Sequence, residues 1–204
     1  MNYLAHLYLS GKEEDVIVGN FIGDYVKGKK YINYPGPIQK GILLHRQIDS
    51  FTDANPKFRE AKQLLRAEYG LHAGIVIDLF YDHFLARNWP SYSQLVLRDF
   101  TKKVHAILLS HFFHLPKRVQ GFLPFLIQHK RLESYATIEG IQKTLEIMSR
   151  HTSLPAKSEK AIEILRENFI FFENNFTSFM DEMLEFVTET HQIKIKKPDW
   201  IAGL

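Results

Sequence analysis

Cysteine is absent from this 204-residue chain, which excludes disulfides, thiolate zinc sites, iron–sulfur clusters and a cysteine nucleophile. Long apolar runs are missing as well. No stretch approaches the ~18 residues of a membrane span, and the nearest, residues 104–115, is interrupted by three histidines. The first nine residues contain no basic region and charge arrives at Lys12, a pattern unlike a signal peptide. These absences predict a soluble cytoplasmic protein. Neither sign of charge dominates, with 26 Lys and Arg against 23 Asp and Glu, so net charge alone points to no class of partner. What is abundant is histidine, ten in all. With thiolates excluded, imidazole and carboxylate are the metal-binding chemistry that remains.

Hairpin signals such as Asn-Gly and Asp-Gly are also lacking, and no internal repeat or low-complexity segment occurs. Apolar residues recur instead at three- and four-residue spacing, the helical period. The pattern predicts helices over 2–9, 13–26, 37–51, 56–68, 71–87, from Ser91 or Ser93 to 109, 116–128 and 137–150. A long stretch over 158–192, bent near Asn174 and Asn175, completes the series. Asn55 before Pro56 reads as a cap followed by proline at the first helical position. Only Ile193 to Ile195 looks strand-like, and nothing resembles a linker. The fold class is therefore all-α, a single-domain helical bundle over residues 1–204.

Chemistry-bearing residues concentrate in the first 90 positions. His45 and Asp49 lie four apart, so a helix projects both from one face, about 6 Å apart. They can reach one ion or form a simple surface pair. Asp78 and Asp82 share a face in the same way. Their helix, residues 71–87, is apolar on every side and is therefore predicted to be buried. Two same-face carboxylates in such a helix repel each other, and burial without a partner costs several kcal/mol each. They call for a cation, a basic partner or a raised carboxyl pKa, or else for a capping role. His83 points about 140° from Asp78 on this helix and is open between a ligand and a packed core histidine. His6 and Asp24 are further polar residues in apolar surroundings. His105, His111 and His114 read as packing or surface, since no carboxylate lies near them in sequence. The phenylalanines from Phe169 to Phe186 read as core.

Four segments in order, MNYLAHLYL (1–9), GNFIGDYVKG (19–28), GILLHRQIDSFTD (41–53) and DLFYDHFLARNW (78–89), resemble the acyl carrier protein phosphodiesterases. That family is related to the metal-dependent phosphohydrolases named for a His-Asp dyad, which implies a distantly similar helical fold. Here the adjacent pair is Asp82-His83, in reverse order. The resemblance implies a hydrolase that removes phosphopantetheine from the serine of a holo-acyl carrier protein. It implies a divalent ion, Mn²⁺ first and Mg²⁺ or Fe²⁺ next, held by Asp24, His45, Asp78 and Asp82. His6, Asp49 or His83 would then serve as catalytic groups, and Arg46 would clamp the phosphate. The implied partner is an acidic carrier protein, with no nucleic acid and no membrane. Basic clusters at Lys27, Lys29 and Lys30 and at Lys117 and Arg118 would suit docking to it. A phosphohydrolase acting on a nucleotide or small diester, or a non-catalytic helical binding protein, are the competing readings.

Overall fold

The computed structural model describes residues 1–198, and among these it contains eleven α-helices and no strand. In chain order they are α1 (Tyr3–Leu9), α2 (Glu14–Ile22), α3 (Gly36–Ala54), α4 (Pro56–Tyr69), α5 (Ala73–Arg87) and α6 (Leu97–Ser110). They continue as α7 (Lys117–Gln128), α8 (Arg131–Ser134), α9 (Ile138–His151), α10 (Ser158–Glu167) and α11 (Phe169–His191). Three begin on side-chain caps. Asn2 accepts the Tyr3 amide, Asn55 the Lys57 amide and Thr137 the Gly140 amide, at 2.9, 2.9 and 3.1 Å, each satisfying an N–H that the helix leaves orphaned.

The all-round apolar pattern of α5 has the consequence expected of it. This helix runs through the middle of the molecule, in contact with α1, α4, α9 and α11. Its Phe80, Tyr81 and Phe84 are fully buried and meet Phe172, Phe179 and Phe176 of α11 at ring separations of 5.3, 4.9 and 6.0 Å. Phe172, Phe176 and Phe179 of α11 are thus core, as expected, while Phe169, Phe171 and Phe186 are partly buried against it. No helix among the described residues is long and apolar enough to cross a membrane.

α2 and α3 pack almost backbone to backbone. A Cβ on Gly41 would overlap the Val16 carbonyl and sit 2.8 Å from the Gly19 Cα, and one on Gly19 would overlap the Ile38 carbonyl. Two glycines facing each other are what allows this approach.

The structure departs from the sequence-based boundaries in several places. The helix expected to reach Val26 ends at Ile22 and tightens into a 3₁₀ turn over Gly23–Tyr25. The helix expected from Ser91 or Ser93 starts at Leu97, because the Trp89 indole donates to the Leu95 carbonyl at 2.8 Å and holds the intervening residues as a loop. The expected long helix over 158–192 is two helices. They part at Asn168, whose side chain donates to the Ile164 carbonyl at 3.0 Å. Asn175, expected to mark a bend, lies mid-helix with its amide donating to the Lys57 carbonyl at 3.1 Å. Residues 193–195 form no strand.

Candidate metal centre

α1, α3 and the turn after α2 bring four chemistry-bearing side chains together. His45 and Asp49, four apart on α3, point the same way, with Nε2 of His45 3.1 Å from Oδ2 of Asp49. α1 crosses above and places Nε2 of His6 3.1 Å from Oδ1 of Asp49. The two imidazoles stack at 4.1 Å and 21°. The 3₁₀ turn carries Asp24, whose Oδ1 lies 3.5 Å from His45 Nε2. One ligand atom each from His6, His45 and Asp49 fall within 4.8 Å of one another, so the three can hold a single metal ion. His6 and His45 are buried and Asp49 is 40% exposed, so the cluster opens to solvent on the carboxylate side.

The protonation of His6 is dictated by its neighbour. Asn20 donates through its NH₂ to the His6 carbonyl and to Ser10 Oγ, at 2.8 and 2.9 Å. Its amide oxygen therefore faces His6 Nδ1, at 2.8 Å, and Nδ1 must donate. In the neutral ring this leaves a lone pair on Nε2, aimed at the Asp49 carboxylate 3.1 Å away. Two acceptors at that separation repel unless a proton or a metal cation lies between them. His45 makes the same point. Its Nε2 stands near two carboxylates without hydrogen-bond alignment to either, and its Nδ1 has no protein partner. A ring nitrogen oriented by a carbonyl on its far side is the usual setting of a metal-binding histidine. The residues fit a divalent cation, and the all-nitrogen-and-oxygen donor set suits a hard or borderline one.

The charges respond to this crowding. Burial, reinforced by the nearby His45, pushes the His6 pKa down to about 4. Burial also opposes charge on His45, but Asp24 and Asp49 more than reverse this and lift its pKa to about 9. Burial would raise the Asp49 carboxyl. His45 and the Met1 amino group instead hold it well below the ordinary carboxylate range. Asp24 is likewise lowered, first by the His45 ring beside it. The two carboxylates thus favour positive charge at His45, as they would favour a bound cation.

The remaining sequence candidates have other neighbours. Asp82 is fully buried beneath the start of α1, where its two oxygens accept the Leu4 and Ala5 amides at 2.8 and 3.0 Å. Burial raises its pKa to about 7 against the pull of those amides. It acts as the capping carboxylate of α1 and lies outside the cluster. Asp78 does not share those partners. Its Oδ1 lies 3.1 Å from the Met1 amino nitrogen, which is 3.5 Å from Asp49 Oδ1, and burial raises its pKa. His83 is directed elsewhere, with Nδ1 2.7 Å from the Tyr135 carbonyl and its ring edge-on to Phe169. Arg46 donates to the carbonyls of Val26 and Gly28, both at 2.7 Å, and lies 5.2 Å over the Tyr31 ring. It pins the loop after Asp24.

Two residues of the site escaped the sequence reading. Asn20 was visible as a lone amide in an apolar helix, which marks a buried polar group but not its partner. Gly23 left no signal beyond its type. A Cβ there would overlap the His45 ring, so glycine at this position is what lets the imidazole lie against the turn. His111 also has a carboxylate after all: Asp15 of α2, with Oδ1 3.0 Å from its Nε2.

Fold and site together define a class, an all-α protein that gathers two histidines and a carboxylate around one point, with a second carboxylate beside His45 and no thiolate. The family described as acyl carrier protein phosphodiesterase matches residues 1–183. The chain is 32% identical to the acyl carrier protein phosphodiesterase of Yersinia pestis, over 90% of its own length and 96% of the relative's. It is 33% identical to that of Serratia proteamaculans, over 91% and 96%. The chain belongs to the acyl carrier protein phosphodiesterase family. No solved structure matches it.

Proposed function

We propose that this chain hydrolyses the phosphodiester between 4′-phosphopantetheine and the serine of a holo-acyl carrier protein. Water adds to phosphorus, the bond to the serine oxygen breaks, and apo-carrier and 4′-phosphopantetheine leave. The observation that carries a metal-assisted route is the forced tautomer of His6, whose lone pair faces Asp49 at 3.1 Å. His6, His45, Asp49 and Asp24 would hold a divalent cation that suits nitrogen and oxygen donors, Mn²⁺ being the one the family resemblance implies. Such an ion, when bound, polarises the phosphoryl oxygens and lowers the pKa of its water. Asn20 keeps the His6 ring in its ligating tautomer. Asp78, its carboxyl raised by burial, anchors the Met1 amine that also faces Asp49 at the edge of the cluster. Asp82 fixes the height of α1, and Arg46 fixes the loop that follows Asp24.

The charge distribution supports an acidic protein substrate. Residues 25–48 and 100–132 together carry 11 Lys and Arg and no Asp or Glu, leaving 15 cationic against 23 acidic side chains elsewhere. The two segments meet beside the cluster, where Arg118 lies 5.9 Å over the Tyr25 ring and Phe122 packs on it at 5.7 Å. Reversing Lys27, Lys29, Lys30, Lys117 and Arg118 to glutamate is expected to raise KM for holo-carrier about tenfold. The effect should shrink as salt is added. An unchanged KM at low salt would remove this docking face.

Mass spectrometry of a holo-carrier incubated with the protein and Mn²⁺ tests the reaction. The expected result is loss of the prosthetic-group mass, blocked by chelator. An intact, metal-loaded protein that leaves holo-carrier unchanged would overturn the reading.

A further inference from the structure

A cleft of about 420 Å³ runs beside the cluster between the loop after Asp24 and the start of α7. Its walls include Tyr25, Val26, Lys30, Tyr34, His114 and Pro116. It approaches the site through Tyr25 and Val26, which follow Asp24 directly in the 3₁₀ turn and its exit, while His6, Asp24, His45 and Asp49 themselves lie outside its lining. The Tyr25 hydroxyl meets that of Tyr3 at 2.7 Å, and Tyr3 stands one helical turn before His6 on α1. The cleft is also held open in advance. Arg46 binds the carbonyls of Val26 and Gly28, and Gln39 donates to that of Tyr34 at 2.7 Å. Arg118 and Phe122 pack on the Tyr25 ring that forms one wall.

A volume of this size lies in the range of small-molecule clefts, roughly 300–1,000 Å³. The lining mixes aromatic and aliphatic faces with a lysine, an asparagine and an imidazole, and contains no carboxylate. That composition suits a slender chain that alternates apolar and hydrogen-bonding groups and carries a phosphate at the end nearest the cluster. Resting on the phosphodiesterase reading, we propose that this groove receives the pantetheine arm, with its gem-dimethyl group and amides against the walls and its phosphate at His6, His45 and Asp49. The groove then selects the prosthetic group, while the cationic rim selects the protein that carries it. Positioning the arm would also point the serine oxygen away from the groove, toward solvent and the departing carrier.

The test compares two carriers, one bearing the full phosphopantetheine arm and one bearing a phosphodiester cut short after its first carbons. The wild-type protein is expected to favour the full arm at least tenfold in kcat/KM. Asn33→Trp, which fills the groove from an exposed loop position, should bring that ratio close to one. Tyr34→Ala should reduce it by removing a wall. A ratio near one in wild type, or one unaltered in both variants, overturns the proposal. Calorimetric titration with 4′-phosphopantetheine separates the groove from the reaction. Binding that Asn33→Trp weakens at least tenfold supports the groove even if holo-carrier is not cleaved, a result that would instead remove the phosphodiesterase reading. Binding equal in wild type and variant overturns the groove alone.

Discussion

Asp49→Asn is expected to lower holo-to-apo conversion by about three orders of magnitude, some 4 kcal/mol in barrier at 1.36 kcal/mol per factor of ten. The substitution keeps the shape of the side chain and removes only its charge. That charge is the one shared element of the cluster, touching His6 and His45 at 3.1 Å and the Met1 amine at 3.5 Å. Without it, His45 loses one of the two carboxylates that raise its pKa to about 9, and the His6 lone pair faces a neutral amide. The far-UV circular dichroism should be unchanged, since Asp49 is 40% exposed and outside the hydrophobic core. Equilibrium dialysis should show Mn²⁺ binding lost in parallel. A variant that still converts holo-carrier at a tenth of the wild-type rate, or that binds Mn²⁺ as wild type does, would remove Asp49 from the centre of the site.

The second large effect is on stability. Gly41→Ala should destabilise the protein by about 3 kcal/mol, the upper part of the ordinary range for overpacking. For a chain of this length that corresponds to roughly a 10 °C fall in Tm, at about 2–4 °C per kcal/mol. The added methyl meets the Val16 carbonyl and the Gly19 Cα, backbone atoms that no rotamer change can move aside. α2 and α3 would have to separate, and they carry Asn20, His45 and Asp49, so activity should fall with stability. Gly121→Ala is the control. It lies in α7 with nothing within 4 Å of the new Cβ, and alanine there should stabilise by about 0.5–1 kcal/mol. Thermal melts in which both variants move in the same direction would contradict the packing argument.

The two variants also mark where sequence reasoning succeeds and stops. The cap at Asn55 acts within two residues of itself, so local pattern was enough to find it. The burial of Asp82 was legible from periodicity, because α5 is apolar all round. Its partners were not, since the Leu4 and Ala5 amides are 78 and 77 residues away. The same separation explains why Asp78 and Asp82, indistinguishable on a helical wheel, have different neighbours. One caps a helix and the other faces an amine. His45 and Asp49 were visible as a pair through the helical repeat. Their meeting with His6 depends on how α1 crosses α3, which no local pattern encodes. The glycines at 19, 23 and 41 carry no periodic signal, yet they set how closely α2, its 3₁₀ extension and α3 approach.

α1 is only seven residues long, well below the length at which a helix stands on its own in water. It is held at its start by Asp82 of α5 and along its side by Asn20 of α2, which binds both the His6 ring and the His6 carbonyl. His6 therefore has no independent address in the molecule. Its coordinates are inherited from two other helices, and one amide sets both where the imidazole sits and which nitrogen carries its proton. Substrate-facing precision is thus stored away from the mouth of the site, in groups that no ligand would ever touch.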